Sequence, residues 1–587
     1  MSKSRCTREA AAMVRLTRLP LPARRLASQV ITRQQQVRGL SRVAPPSDGK
    51  QVAVIGGGLT GLTTAYLLAK QLPESAYITL FESSDRLGGW IRTDEVRVNV
   101  NGTRGVVPFE RGPRTLSSLR GNTWRYDDLV LYELMLDLGL KPSYPKDLPR
   151  YLYYPDHLVK MPPDASVFDC LTESLFRECI WGALGTAASW VTGRHRGRLP
   201  AHDLSVADWL RLITSDSAVG NNLVSAMIHG IYGGDIERLS ARSVLDRMYY
   251  NLHLRPAESG QRHVPVHELA FMNHMVKDAM VCAEANKSKG SLVHFGAQGM
   301  EALPRALEGA LAGQRNVNIL RRASVMDIKP ATNIGRIGEE NKLQVHFRHA
   351  STPGEEVAQI FDHVVSTTSS DSLVNMTGDA LSTLSGIESV SIMTVNLWYP
   401  TPDMKPPGFG YLIPRSVPLE QNPERALGVF FDSDVISERR PDEPPGTKLF
   451  VLMGGHHYRG REPPSEDEAI VQAKALLERH LGIPRDTPCL AMARLARDCI
   501  PQHNVGHVAL LKAADQQITS AFGGRLTVAN GSYGRIGAMG ALRNAHGAAY
   551  TVISDHRYSG LDDFIRNPTI VDVPLERIPC RQPQAKA

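Results

Sequence analysis

Hydrophobic and polar positions change rhythm repeatedly along this chain, and the first clear pattern is strand, helix, strand. Residues 51–55 (QVAVI) form a short apolar run between Lys50 and a glycine cluster, the pattern of a strand buried on both faces. From Leu62 to Lys70 the spacing becomes helical and rich in Ala and Leu. Residues 77–81 (YITLF) predict the next strand, with Glu82 at its end. Further on, 323–328 (ASVMDI) also reads as a strand. The longest apolar run, 179–191, carries Trp181 and Trp190 near its ends, with Arg177 before it and Arg194, His195, Arg196 and Arg198 after it. It fits a buried core helix and equally a helix lying in a membrane interface, where Trp and cations suit anionic headgroups. No stretch of about 18 apolar residues occurs, so the pattern contains nothing long enough to span a bilayer.

The glycines between the first strand and helix add chemistry to this frame. Gly56, Gly58 and Gly61 form GxGxxG, and Glu82 follows Gly61 by 21 residues. That order is the dinucleotide-binding fingerprint. Gly56 makes the tight turn, Gly58 lets the backbone approach a pyrophosphate, and Gly61 lets helix meet strand. The first-turn amides around Gly57, Leu59 and Thr60 hold phosphate, and Glu82 accepts from ribose hydroxyls. A second loop follows at once, with Ser83, Arg86, the pair Gly88 and Gly89, and Trp90. Large FAD-dependent oxidoreductases need an Arg and a Gly pair there, where the chain crosses the diphosphate without a Cβ. A third close-approach loop comprises Gly112, Pro113, Arg114 and Thr115.

Composition narrows the class. The chain has 587 residues, 42% hydrophobic and 22% charged, which fits about two to four globular domains and excludes collagen, coiled-coil rods and wholesale disorder. Its seven cysteines contain no CxxC pair, so neither a disulfide framework nor a zinc module is expected. Residues 1–43 hold ten Lys/Arg against the single acid Glu9, while the rest of the chain holds 57 basic and 59 acidic residues. Arg-rich and acid-poor, 1–43 reads as a mitochondrial presequence, with 44–49 as a linker. With no basic surplus beyond it, a nucleic-acid partner is not expected. His503 and His507 are four apart, but Gly506 breaks a helix there and no third ligand is near. His456 and His457 read as a strand end, so no metal site is expected.

With these loops in view, the chain resembles the amine-oxidase-like flavoprotein superfamily, and within it the protoporphyrinogen oxidase family. The likeness runs from about residue 51 to about 551. It rests on ESSDRLGGWIR (82–92), GIYGG (230–234) with LSARS (239–243), GMEALP (299–304), GFGYLIP (408–414), LGVFFDS (427–433), MGG (453–455), IPQH (500–503) with Gly506 and His507, and LTVANGSY (526–533). One departure stands out. The family often has an Asn-Asp pair in the C-terminal flavin helix, where this chain has GAMG (537–540). Polar contacts from that helix are therefore open, although small residues still suit a helix start packed on a flavin.

The resemblance implies non-covalent FAD contacts at Gly56 to Gly61, Glu82, Ser83, Trp90, Gly112, Pro113, Arg114, Thr115, Gly531, Ile536, Gly537 and Ala538. Val325 belongs to the same implied set, and an ordinary core strand accounts for it equally well. The implied reaction is oxidation of protoporphyrinogen IX to protoporphyrin IX with dioxygen, giving hydrogen peroxide, in the penultimate step of haem synthesis. Arg150, heading the aromatic run 151–153, would clamp a propionate with its two-pronged guanidinium. Met227 and Gly230 would line one side of a tetrapyrrole slot, and Phe409, Leu412, Phe430, Phe431 and Leu452 the other. No acid–base pair is implied; catalysis rests on positioning and the cofactor's own chemistry, with the backbone at Gly230 orienting pyrrole N–H groups. No cysteine lies near the C-terminal flavin loop, so a thioether-linked flavin is not expected.

The implied fold is α/β with α+β parts. A Rossmann-like, p-hydroxybenzoate-hydroxylase-like FAD domain is drawn from 50–144, 290–340 and 498–575. A helical membrane-associating insertion covers 145–260, and a mixed-sheet substrate domain covers 261–289 and 341–497. The family's setting implies a homodimer attached to the mitochondrial inner membrane on the intermembrane-space side, in reach of ferrochelatase. The competing expectations are an amine oxidase or carotenoid-type desaturase, and a non-redox module that keeps the fold without flavin chemistry. Against the first, the C-terminal loop offers only Tyr533 for an aromatic cage.

Overall fold

The computed structural model describes residues 49–100, 102–116, 126–144, 148–254, 258–287, 292–331, 342–352, 354–436 and 438–574. The Arg-rich segment 1–43 lies outside them, as does nearly all of the 44–49 linker. Two sheets organise the molecule. Their strands, in chain order, are β1 (Gln51–Ile55), β2 (Tyr77–Phe81), β3 (Arg150–Tyr153), β4 (Leu158–Lys160), β5 (Val317–Leu320), β6 (His363–Ser366), β7 (Ser389–Tyr399), β8 (Gly410–Leu412), β9 (Ala426–Phe430), β10 (Thr447–Gly454), β11 (Leu490–Pro501) and β12 (Leu526–Val528). The helices that matter to the site are α1 (Leu59–Gln71), α2 (Tyr126–Leu138), α3 (Ser174–Thr192), α4 (Val206–Thr214), α5 (Ser225–Tyr232), α6 (Val266–Met275), α7 (Ala302–Ala312), α8 (Glu466–Leu481), α9 (His507–Phe522) and α10 (Gly537–Ile553).

The first sheet is wholly parallel, in the order β12-β6-β1-β2-β5. Both faces are covered, which is why its strands read as continuous apolar runs. On one face lie α1, α2, α6, α7 and α10, with Leu62, Leu67, Leu68, Leu303, Leu307 and Leu542 almost wholly buried. Each such side chain contributes about 1.5–3 kcal/mol on burial. On the other face α9, through Leu511, Ala514 and Ile518, packs with Phe81, Val364 and the strands of 323–361. The chain crosses from β1 to β2 on one side, while β6 lies on the other. The carboxyl end of β1 is therefore the switch point at which open parallel sheets bind ligands.

The second sheet has seven strands in mixed directions, β11-β7-β10-β9-β8-β3-β4. Helix α8 covers one of its faces. Ser465 and Glu468 form a capping box at the start of α8, and Gly482 ends it at φ +70°. Between them Ala469, Ala473, Leu476 and Leu477 turn one stripe onto Tyr153, Val395, Tyr411, Val429, Phe431 and Val451.

These pairings redraw the expected segments. Residues 363–366, expected in the substrate domain, are β6 of the first sheet. Residues 261–265 pair with Ile570–Pro574, and Phe271 and Met275 of α6 join the core beneath α1. Residues 150–160, expected in the helical insertion, are two strands of the second sheet, and 490–501 is its edge strand. An apolar run states that a strand is buried but not which sheet it joins, because pairing is a long-range choice.

Candidate functional site

The switch point is built around three glycines with different tasks. Gly56 has φ +104°, and a Cβ there would come within 2.7 Å of Thr367 Oγ1. A Cβ on Gly61 would lie 1.8 Å from the Gly56 carbonyl oxygen, so α1 rests directly on the turn. Gly58, the residue before α1, is different. Its backbone is ordinary, at φ −73°, and the nearest protein atom to a Cβ built there is 3.9 Å away. Neither turn geometry nor packing requires glycine at 58. The space a Cβ would take suits a phosphate lying against the amides of α1, whose start has no side-chain cap and no acid in its first turn. The residues present fit a dinucleotide diphosphate.

The loop after β2 closes over this turn. Gly88 N donates to Gly57 O at 2.8 Å, and the Gly89 backbone reaches the Gly58 Cα. Arg86 holds the loop by donating to the carbonyls of Leu87, Gly89 and Ile91. Glu82 accepts from Gly57 N and from Ser84 N, both at 2.8 Å, which fixes its carboxylate at the end of β2 with lone pairs to spare for hydroxyls. Ser83 and Trp90 are exposed, and the Arg494 guanidinium lies 5.5 Å from the Trp90 ring centre. Burial, with repulsion from Arg92 and Arg86, pushes Arg111 and Arg494 below the usual guanidinium range. Arg92 and Arg111 share Asp94 as an ion-pair partner, and the positive charge left on Arg86 and Arg494 beside the glycine loops favours an anion there.

Of the third loop, Gly112 touches the second: a Cβ would lie 2.3 Å from the Trp90 carbonyl oxygen. Pro113 and Thr115 are partly exposed. Arg114 differs from expectation. Its side chain is buried, ion-paired to Asp432 at 3.1 Å, bonded to the carbonyls of Gly112 and Glu110, and laid over the Phe450 ring. It ties the glycine loops to the second sheet rather than facing a cofactor. Burial raises the Asp432 carboxyl, and Arg114 opposes that shift. Val325 packs at the margin of the core on the α9 side of the first sheet. At the carboxyl end of that sheet, α10 begins without a side-chain cap, with Gly537 at φ +80° and exposed and with Ile536 and Ala538 partly exposed. Gly531 accepts from His503 Nε2 at 2.8 Å. His503 stacks on His507 at 4.2 Å between ring centres.

The second sheet sorts the proposed slot residues by strand alternation. Phe430 pairs with Phe450, and Gly428 with Leu452, on the face away from α8. Arg150 pairs with Gly410 and Leu152 with Leu412 on that same face. Phe409 sits beside them, its ring centre 5.4 Å from that of Phe430 and 5.5 Å from the guanidinium carbon of exposed Arg150. Helix α5 crosses one end of this face: a Cβ on Gly230 would meet Leu412 at 2.8 Å, and Met227 packs on the core behind α5. Phe431 is corrected. It is fully buried on the α8 face against Tyr411, since residues 430 and 431 must point to opposite sides.

Two features had no signal in the sequence. Thr367 Oγ1 donates to the Ile55 carbonyl at 2.9 Å across 312 residues of chain and supports the Gly56 turn from β6. A cavity of about 1050 Å³ lies between α6, the start of α9 and α10, and reaches Tyr232 and Trp190. Of the residues expected to bind cofactor or substrate it touches Ile536 alone; its wall carries the ion pairs Arg247 with Glu268, Arg535 with Asp246 and Arg543 with Asp563. Helix α3 is not a wholly buried core helix. Leu175, Cys179 and Gly182 face inward, but Trp181 is 73% exposed and Val191 85%, with Ile180 and Leu184 beside them. Val167, Phe168 and Leu171 of the preceding turn of helix are exposed as well. Among the described residues no helix is long and apolar enough to cross a membrane.

Residues 59–531 match the family of flavin containing amine oxidoreductases. Protoporphyrinogen oxidase of Schizosaccharomyces pombe is 28% identical over 86% of this chain and 98% of its own length. The Saccharomyces cerevisiae protein of that name is 28% identical over 83% of this chain and 94% of its own. A crystal structure from Exiguobacterium sp. 255-15, provisionally named protoporphyrinogen oxidase, superposes with a TM-score of 0.60 at 19% identity, covering 87% of this chain and all of that one.

Proposed function

Since the chain belongs to the family of flavin containing amine oxidoreductases, we propose that it is an FAD-dependent oxidase that converts protoporphyrinogen IX to protoporphyrin IX. The observation that carries this over an amine oxidase is that the relatives it spans over nearly their whole length are named for that reaction. FAD supplies the two-electron acceptor, and its reoxidation by dioxygen yields hydrogen peroxide. The protein's own part is to bind and to orient. Gly58 and the start of α1 take the diphosphate, Glu82 the ribose, and the start of α10 the flavin end. Gly531, Ile536, Gly537 and Ala538 border that end. Arg150 bonds a propionate from the mouth of the sheet face. Phe409, Leu412, Phe430 and Leu452 give the macrocycle an apolar surface, and Met227 and Gly230 of α5 fix its edge. These residues would contribute to rate by holding a methylene bridge of the substrate in place near bound FAD.

We extend the reading to the cell. The exposed apolar side chains of α3 and of 167–171 dock on a membrane surface without crossing it, so an insoluble product leaves without passing through water. The arginines of 1–43 direct the chain to mitochondria and the inner membrane. A homodimer and hand-over to ferrochelatase belong to the same picture.

The test is porphyrin fluorescence appearing from protoporphyrinogen IX under air, catalysed by the purified yellow protein. Fluorescence no faster than autoxidation, together with peroxide release from a primary amine, would replace this reading with the amine-oxidase one. A colourless protein inactive on both would make it a non-redox module.

A further inference from the structure

A second site lies beyond the slot, where α5 meets the end of β10. His229 is the fourth residue from the end of α5, immediately before Gly230, and His456 and His457 follow the Gly454–Gly455 turn that ends β10. The turn is sharp, with φ +92° and +60° at the two glycines. It is pressed onto α5: His456 N donates to the Gly233 carbonyl at 2.7 Å, and a Cβ on Gly455 would lie 2.3 Å from that oxygen. Three imidazoles drawn from positions 229, 456 and 457 thus meet, with one nitrogen of each inside a sphere whose members are within 4.8 Å of one another.

Their orientation is that of ligands. His229 donates from Nδ1 to the Ile413 carbonyl at 2.7 Å, which fixes its ring and tautomer and leaves Nε2 with a lone pair. That lone pair faces His456 Nε2 at 3.1 Å. Two nitrogens bound to one tetrahedral zinc at its usual bond length stand about 3.3 Å apart, so these two already have the separation a metal imposes. The His456 and His457 rings are 3.9 Å apart, centre to centre, and the His457 ring is 5.6 Å from that of His229. His229 is buried, His456 and His457 half-buried, and His456 also lines a cavity of about 310 Å³ whose wall mixes Asp235, Glu388 and Asp498 with Arg238, Arg459 and Arg497 and opens the cluster to solvent. The charged groups felt by the cluster are Asp235, which favours a cation, and Arg415 and Arg425, which oppose it. Arg415 is itself drawn off by Asp235 and Glu237.

We propose that His229, His456 and His457 bind one divalent transition-metal ion of the zinc class, which staples α5 to the end of β10. Three neutral imidazoles with no thiolate and room for a further ligand suit Zn²⁺, Co²⁺ or Ni²⁺ rather than Ca²⁺ or Mg²⁺, which take oxygen ligands. The ion replaces the proton that His456 Nε2 shares with His229, and that proton moves to Nδ1 of His456. Because α5 carries Gly230 and β10 carries Leu452, the staple also sets the spacing between α5 and the apolar sheet face. The inference does not depend on which substrate that face receives.

The flavin-loaded protein, treated with EDTA and desalted, is titrated with Co²⁺. One equivalent is expected to bind, with the visible bands of four-coordinate Co²⁺ to the red of the flavin spectrum, and Zn²⁺ is expected to displace it and raise the unfolding temperature. His456→Ala and His457→Ala should each weaken binding by at least about tenfold with flavin content unchanged, while His346→Ala, partly exposed and paired with Glu356 elsewhere in the fold, should not. If either alanine variant loses flavin, His456→Gln, which keeps the polar volume, takes its place. Absence of saturable one-equivalent binding to the wild type overturns the proposal, as does binding that survives in the His456→Ala/His457→Ala double variant.

Discussion

Gly58 has unstrained dihedrals and 3.9 Å of clearance around the Cβ it lacks, so nothing within the chain demands its smallness. Gly61, three residues on, would drive a Cβ to 1.8 Å from a carbonyl oxygen. The two positions therefore fail differently. Gly58→Val should fold with an unchanged apoprotein melting temperature and emerge colourless; a yellow, fully loaded variant refutes the diphosphate assignment. Gly61→Ala should lower the melting temperature of the apoprotein itself, by the equivalent of about 1–3 kcal/mol of overpacking. Arg150 is the other residue whose role is separable. It is exposed beside Phe409, outside the glycine loops, and Arg150→Ala should raise KM by about one to two orders of magnitude at constant FAD content. Arg150→Lys should restore only part of the loss, since an ammonium lacks the fork. Wild-type kinetics in both variants would mean that the propionate binds elsewhere.

Strand β9 carries its information in alternation. Phe430 faces the open side with Phe450, and Phe431 continues the opposite side with Val429, under α8. Phe431→Ala should cost about 3–5 kcal/mol of stability and leave KM nearly unchanged, whereas Phe430→Ala should change KM with a much smaller loss of stability. Thermal unfolding and steady-state kinetics on the same preparations separate the two, and equal behaviour would refute the sheet orientation. This is also where the sequence was most and least legible. Adjacent residues of a strand face opposite ways, so Phe430 and Phe431 could not both line the slot, but the letters of 427–431 do not say which one leaves it. The glycine turn, α1 and Glu82 were readable because everything they need lies within about thirty residues. Thr367 under Gly56, Asp432 beside Arg114 and the meeting of His229 with His456 were not, since each joins segments whose approach is decided only when the sheets pair. Exposure on α3 was undecidable for a related reason: a Trp-rich apolar helix has the same letters whether its outer face meets core, lipid or water.

At the scale of the whole molecule, a buried ion pair, Arg114 with Asp432, ties the third glycine loop to the segment that follows β9, both side chains nearly inaccessible. Arg114→Met leaves Asp432 buried without its partner and should cost about 3–5 kcal/mol, seen as a lower flavin-release temperature. Adding Asp432→Leu should recover much of that loss, because the unpaired charge rather than the missing contact is what destabilises. A double variant no better than the single would make the pair an independent anchor. The outer surface has its own measurement. Trp181→Glu should weaken co-sedimentation with vesicles of phosphatidylcholine and an anionic lipid about tenfold or more while leaving turnover of dissolved substrate intact, as expected when about 1.5–3 kcal/mol of apolar burial is removed; unaltered sedimentation would mean that α3 meets something other than lipid. The seven-stranded sheet, finally, has a bearing on descent. Its strands are sealed by α8 on one side and bear the proposed binding surface on the other, so on that proposal successive letters of β9 and β10 answer to different demands. A lineage can rewrite every second position and acquire a new diet for the enzyme while the intervening positions keep the scaffold inherited, which lets a fold outlive any one of its chemistries.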